Sequence, residues 1–257
     1  MILLCITILP GCWKSQSEWM QEIQNIMSQE KQGLLEAKDA RGNSVTLEWY
    51  FFDVLSPAYE SVMKSISNTV VDAFTTVELQ RVKMHPESLK DQFEFLADLF
   101  ENGIENVNWK IAAERMQTKI KNIIEIDYSS IFDSNNICIL VIAYDKNTRQ
   151  QLGVVQFLIN PSLDYGDVNV PVLGIIPEAQ GRGLGKLLLS SIFKIVPTVK
   201  GIILSTRVTN EKAINAYKAW GFIDYPEWTN PEKGWVGFEY RTNLSDILQK
   251  RAEQIVF

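Results

Sequence analysis

Between Leu173 and Lys186 the chain reads Leu-Gly-Ile-Ile-Pro-Glu-Ala-Gln-Gly-Arg-Gly-Leu-Gly-Lys, and no other stretch constrains the fold as tightly. An apolar run meets a proline. Gly181, Gly183 and Gly185 then make a turn, and Leu184, Leu187, Leu188, Ile192 and Ile195 repeat with helical spacing. A strand that feeds such a turn opens a helix whose first N–H groups lack intrahelical partners, where the helix dipole adds partial positive charge. Glycine there permits both a tight turn and the close approach of a ligand. The segment predicts a site for a phosphate.

Two nucleotide motifs fail against it. A Walker A loop needs Gly five residues before the Gly-Lys pair and Ser or Thr after it; here Gln180 stands five before Gly185, and Leu187 follows Lys186. A dinucleotide fingerprint needs Gly-x-Gly-x-x-Gly, and its last position falls on Lys186 or Leu188. What remains is Gln180, Gly183 and Gly185 in the pattern Gln-x-x-Gly-x-Gly. It resembles the pyrophosphate loop of the GNAT superfamily of N-acetyltransferases, which bind acetyl-CoA.

A second stretch strengthens the resemblance. Residues 199–208 are rich in β-formers and lead to Thr209 and Asn210, either of which can cap a helix. Ala213, Tyr217 and Trp220 share one face of that helix, and Gly221 can end it. Asn210, Ala213, Tyr217 and the Gly221-Phe222 pair look like the family's second motif. In outline the likeness spans roughly 44–244, with its specific residues between Leu173 and Phe222.

The resemblance implies direct transfer of an acetyl group from acetyl-CoA, the donor substrate, to an amine. It implies that the backbone N–H groups of Gly181, Arg182, Gly183, Leu184, Gly185 and Lys186, following Gln180, hold the pyrophosphate, and that the Arg182 and Lys186 side chains add charge. Leu173, Gly174 and Ile175 match the strand that pairs with the pantetheine arm and splays from its neighbour, with the Ile175 N–H as oxyanion donor. Asn210 matches a contact to the cofactor arm, and Tyr217 the general acid that protonates the leaving thiolate. Relatives that acetylate protein N-termini carry a glutamate five residues before the Asn; Ser205 stands there, leaving Glu239 or Asp127, through water, as substitute bases. The acceptor, a small-molecule amine or a protein amino group, is not readable. Two alternatives stand beside this reading: an inactive acyl-CoA-binding sensor or interaction module, and an exported lipoprotein with a similar fold.

Composition narrows the partners. A net charge of −6 and a pI near 5.0 argue against nucleic acid. Cys5, Cys12 and Cys138 form no disulfide framework, and Cys138 reads as a core residue. The single histidine, His85, precedes Pro86 in a polar stretch and reads as a surface residue. No Cys/His cluster has metal spacing. Residues 1–10 are apolar, and Leu9-Pro10-Gly11-Cys12 loosely resembles a lipoprotein processing site, but the run is too short to span a bilayer and lacks a basic start. The expectation is a cytoplasmic protein, with anchoring through Cys12 as the alternative and a homodimer left open.

The rest of the chain is placed by pattern. Residues 1–43 are expected as an extension, apolar at first and then a polar helix over 19–40. The acetyltransferase domain spans 44–245. It opens with a strand over 45–54, a helix from Pro57 to about Phe74, and a helical insertion over about 77–126 in which Phe93, Leu96 and Phe100 form a stripe. Strands follow over 137–144 and 152–159, joined as a hairpin, then over 168–176, and a late strand over 235–241. Residues 246–257 are a tail. This order predicts an α/β (α+β) fold: a mixed, mostly antiparallel twisted sheet with helices on both faces and a helical insertion after the first strand.

Overall fold

Apolar runs between Ile137 and Ile175, buried on both faces, build the middle of one eight-stranded sheet. A computed structural model describes residues 15–28, 31–53, 94–101, 103–130 and 136–256, with 71, 73–75, 78–79 and 82–83, and the backbone alone for 26, 53, 94 and 122–130. The elements are α1 (Gln16–Met27), β1 (Gln32–Lys38), β2 (Ser44–Asp53), α2 (Trp109–Ser130), β3 (Ile137–Asp145), β4 (Gln151–Ile159), β5 (Asp167–Ile175), α3 (Leu184–Ile195), β6 (Gly201–Arg207), α4 (Glu211–Ala219), β7 (Ile223–Asp224), β8 (Trp235–Arg241) and α5 (Ile247–Ala252). The strand order is β1-β2-β3-β4-β5-β6-β8-β7, and only β5 and β6 pair in parallel, across the α3 crossover. The expected mixed, mostly antiparallel sheet is therefore present.

The two faces of the sheet are buried differently. Val141, Phe157, Val170, Leu204 and Phe238 lie in one core with Trp19 and Ile23 of α1, Leu187, Leu188 and Ile192 of α3, and Leu248 of α5. Cys138, Leu140, Ile142, Val154, Leu158 and Val172 form the other face. Phe74 packs against that face and also against a satellite core built from Leu96, Val107, Ala112 and Met116, and so links the sheet's second side to the helical segment. Leu96, expected on the insertion's apolar stripe, is fully buried there. Phe93, His85, Cys5, Cys12 and nearly all of the expected helix up to Phe74 lie outside the described residues.

The polar helix expected over 19–40 requires correction. α1 ends at Met27, and Gln32–Lys38 is an edge strand paired antiparallel with β2 from Gln32↔Tyr50 to Lys38↔Ser44. Gln-Gly-Leu-Leu-Glu-Ala-Lys contains good helix formers, but the ladder with β2 and the burial of Leu35 and Ala37 outweigh that local preference. Nor is α1 merely polar: Trp19, Met20, Ile23 and Met27 enter the main core, and the Trp19 indole donates to the Thr198 hydroxyl (2.8 Å). At the other end α5 packs on α3, and Val256 exchanges backbone hydrogen bonds with Glu36 of β1 (2.7 and 2.9 Å).

Candidate functional site

The parallel pair β5 and β6 is joined only at its start. Pairing runs from Asp167↔Gly201 to Val170↔Leu204 and stops. The next residue in β5 is Pro171, which has no N–H to offer. Here too the β4 register slips, from Gln156↔Val172 to Leu158↔Asn169, so β5 holds one extra residue and bends. Beyond the bulge β5 follows β4 alone. Ile176 donates to the Leu152 carbonyl (3.1 Å), two residues on from the Gly174↔Val154 pair. Because bonded and non-bonded pairs alternate in an antiparallel ladder, Leu173 and Ile175 turn their N–H and C=O groups away from β4, into the gap before β6. The Ile175 carbonyl accepts from the Gln180 amide (3.3 Å). Its N–H is left without a neighbouring strand.

The gap leads to the glycine turn. Gly181 and Gly183 both take φ of 72°, a left-handed conformation that suits glycine. Gly183 is the N-cap of α3, and Leu187 closes the first helical hydrogen bond onto its carbonyl (3.1 Å). Among the described residues, the six successive N–H groups from Gly181 to Lys186 have no hydrogen-bond partner in the chain. They form an electropositive arc that an anion can satisfy.

The two cations expected at this turn are placed differently. The Arg182 guanidinium is turned onto Asp39, Nε to carboxylate 2.7 Å, with side-chain exposures of 13% and 0%. Its carbonyl accepts from the Ala40 N–H (2.8 Å), so the β1–β2 turn buttresses the loop. Burial alone would raise the Asp39 pKa, but hydrogen bonds from Asn43, Arg182 and the backbone N–H groups of Asn43 and Arg41 hold it down at about 2. Lys186 is half-buried and has no ion pair among the described residues; burial, and then the positive charge of Arg251, lower its pKa. Sequence reasoning missed Asp39, Ala40 and Arg251. The Asp-Ala-Arg-Gly-Asn run at 39–43, a hairpin-turn composition, was the signal available for the first two.

The second motif meets the first at Gly185. A Cβ on Gly185 would lie 2.9 Å from the Trp220 ring, so the glycine admits that ring against the opening turn of α3. Asn210 caps α4: its Oδ1 accepts from the Ala213 N–H (3.3 Å) and its Nδ2 donates to the Thr206 hydroxyl (3.2 Å). Tyr217 is buried against Phe222 and Phe238, ring centroids 5.6 Å away in each case, and against Trp220 at 5.8 Å. Its hydroxyl has no hydrogen-bond partner among the described residues, and burial pushes its pKa up, so it stays protonated.

The substitute bases fare unequally. The Glu239 carboxylate accepts from Arg241 Nε (2.7 Å), and the same guanidinium grips Asp167. The side chain of Asp127 lies outside the described residues. Cys138 is a core thiol, pushed up to about 12 by burial, and accepts from the Gln156 amide (3.3 Å). Among the described residues no group of three or more His, Cys, Asp or Glu side chains could hold a metal, and no helix is long and apolar enough to cross a membrane.

A family model described as the acetyltransferase (GNAT) family matches residues 102–222. No curated protein matches the sequence closely enough to count as a relative. Among solved structures, the chain is similar to the PaiA N-acetyltransferase of Thermoplasma acidophilum in complex with coenzyme A, at 14% identity over 76% of this chain and 98% of that one, TM-score 0.42. A mutant of the spermidine N-acetyltransferase of Vibrio cholerae is 19% identical over 51% of this chain and 77% of its own, TM-score 0.35. The NatC complex bound to Gag peptide and coenzyme A is 22% identical over 40% and 70%, TM-score 0.35.

Proposed function

We propose that this chain, whose residues 102–222 match the acetyltransferase (GNAT) family model, transfers an acetyl group from acetyl-CoA directly to an amine. The observation that carries the reading is the run of six unpartnered N–H groups from Gly181 to Lys186, set beside a gap where β5 and β6 have parted. A pyrophosphate satisfies the N–H arc. A pantetheine arm is itself an amide chain, and it can bond the Leu173 and Ile175 backbone groups that β6 leaves unpaired.

The chemistry follows from that placement. The amine attacks the thioester carbonyl, and the carbonyl oxygen takes up negative charge. The Ile175 N–H is the donor that stabilises it. As the tetrahedral intermediate collapses, the C–S bond breaks and the thiolate leaves. Tyr217 gives it a proton; its unpartnered, protonated hydroxyl suits that task. Asn210 holds the start of α4, with one amide hydrogen left for the cofactor arm. With Ser205 where N-terminal acetyltransferases carry glutamate, and Glu239 tied to Arg241, the amine sheds its proton to water or reacts as the neutral form. An α-amine, with a pKa of about 8, meets that condition far more readily than a lysine side chain at about 10.4.

Titration calorimetry with coenzyme A tests the reading. One site per chain is expected, lost or much weakened in Gly183→Glu, which sets bulk and negative charge where the phosphates lie. A wild-type chain that does not bind coenzyme A would overturn the assignment.

A further inference from the structure

Coenzyme A carries a third phosphate, the 3′-phosphomonoester, with a charge near −1.5 to −2 at neutral pH. The six N–H groups account for the pyrophosphate. Two cations beside them are not yet spoken for. Lys186 lies in the first turn of α3, and Arg251 lies near the end of α5, a helix outside the stretch that the family model matches. Arg251 is anchored by hydrogen bonds to the Lys38 carbonyl and to Gln254. Lys38 immediately precedes the Asp39-Ala40 pair that holds Arg182, which sets Arg251 at the wall of the loop.

The charge balance there is uneven. Asp39 is the carboxylate within Arg251's electrostatic reach, but its oxygens are already taken by Arg182, Asn43 and two backbone N–H groups. Among the described residues neither Lys186 nor Arg251 has an ion-pair partner. Both are half-buried and lose solvation, and the positive charge of Arg251 bears on Lys186. Two cations held together at a cost to both need an anion to offset that cost. Arg182, by contrast, is already neutralised by Asp39.

We infer that Lys186 and Arg251 form the receptor for the 3′-phosphate of the acyl donor, so that the C-terminal helix completes the coenzyme site. This rests on the acetyl-CoA reading above. It also assigns the loop's cations differently from the sequence motif: Arg251 takes the part that Arg182 cannot.

Calorimetry with coenzyme A and with 3′-dephospho-coenzyme A, on the full chain, tests the inference. The wild type is expected to prefer coenzyme A by about tenfold or more, the scale of one charge-assisted contact. Arg251→Gln is expected to bring that ratio close to one while leaving the affinity for dephospho-coenzyme A unchanged, and Arg251→Lys to keep part of the preference. Lys186→Gln provides a second reading that leaves the Arg251–Lys38 bond intact. A wild type that binds both ligands equally overturns this inference alone, and so does Arg251→Gln or Lys186→Gln weakening both ligands by the same factor. A wild type that binds neither overturns the acetyl-CoA reading, and this inference with it.

Discussion

Asp39→Asn isolates the tether between the β1–β2 turn and the glycine loop. The substitution keeps shape and removes the charge that holds Arg182 (2.7 Å). A fall in pKa from 3.8 to about 2 corresponds to about 2.4 kcal/mol, at about 1.36 kcal/mol per pH unit. Because the folded-state pKa lies below the unfolded one, this stability is fully present above pH 3.8 and is lost as pH falls toward 2. The same two values give about 1.3 kcal/mol at pH 3, roughly half of the neutral figure. Urea unfolding followed by tryptophan fluorescence, on wild type and variant from pH 7 down to about 3, reads the difference directly. The variant is expected to be less stable by about 2 kcal/mol at pH 7, with the gap closing on acidification. A gap below about 0.5 kcal/mol at pH 7, or one that does not change with pH, would refute the argument that this buried pair is a net stabiliser. In that case desolvation would cancel the attraction, as it does in many buried ion pairs.

Two further outcomes follow from single atoms. Tyr217→Phe is expected to lower kcat about a hundredfold or more with little change in the KM for acetyl-CoA, since general acids contribute at that scale and the hydroxyl has no partner among the described residues; full turnover in a thiol-release assay would remove Tyr217 from the mechanism. Gln156→Leu is expected to raise the midpoint of thermal unfolding, because the fully buried Gln156 leaves its Oε1 without a partner; a loss of more than about 1 kcal/mol would show that the amide's bond to Cys138 outweighs the orphaned oxygen.

Much of the proposed donor site was legible because its geometry is local. A glycine turn at the head of a helix exposes N–H groups whatever surrounds it, and Gly181, Gly183 and Gly185 lie within five residues of one another. The apolar stripe of α3 and the apolar runs of β3 and β4 are likewise short-range patterns, which survive in any packing. Asn210 and Ala213 needed only one helical turn to meet. The bulge at Pro171 was half legible: the proline is visible, but the register slip against Gln156 and Leu158 belongs to the pair of strands.

What the sequence could not settle was decided by contacts between residues far apart. Residues 32–38 prefer a helix by composition and become a strand because β2 offers a ladder and the core accepts Leu35. Arg182 reads as a phosphate ligand beside its glycines, yet Asp39, distant by 143 positions, takes its guanidinium. Arg251 lies in what reads as a tail and arrives beside the loop because α5 docks on α3 and reaches Lys38. Backbone amides are fixed by local conformation, so the sequence alone determined that this turn exposes a run of N–H groups suited to an anion. Side-chain charges act through space, and only the tertiary structure decided which of them that site keeps.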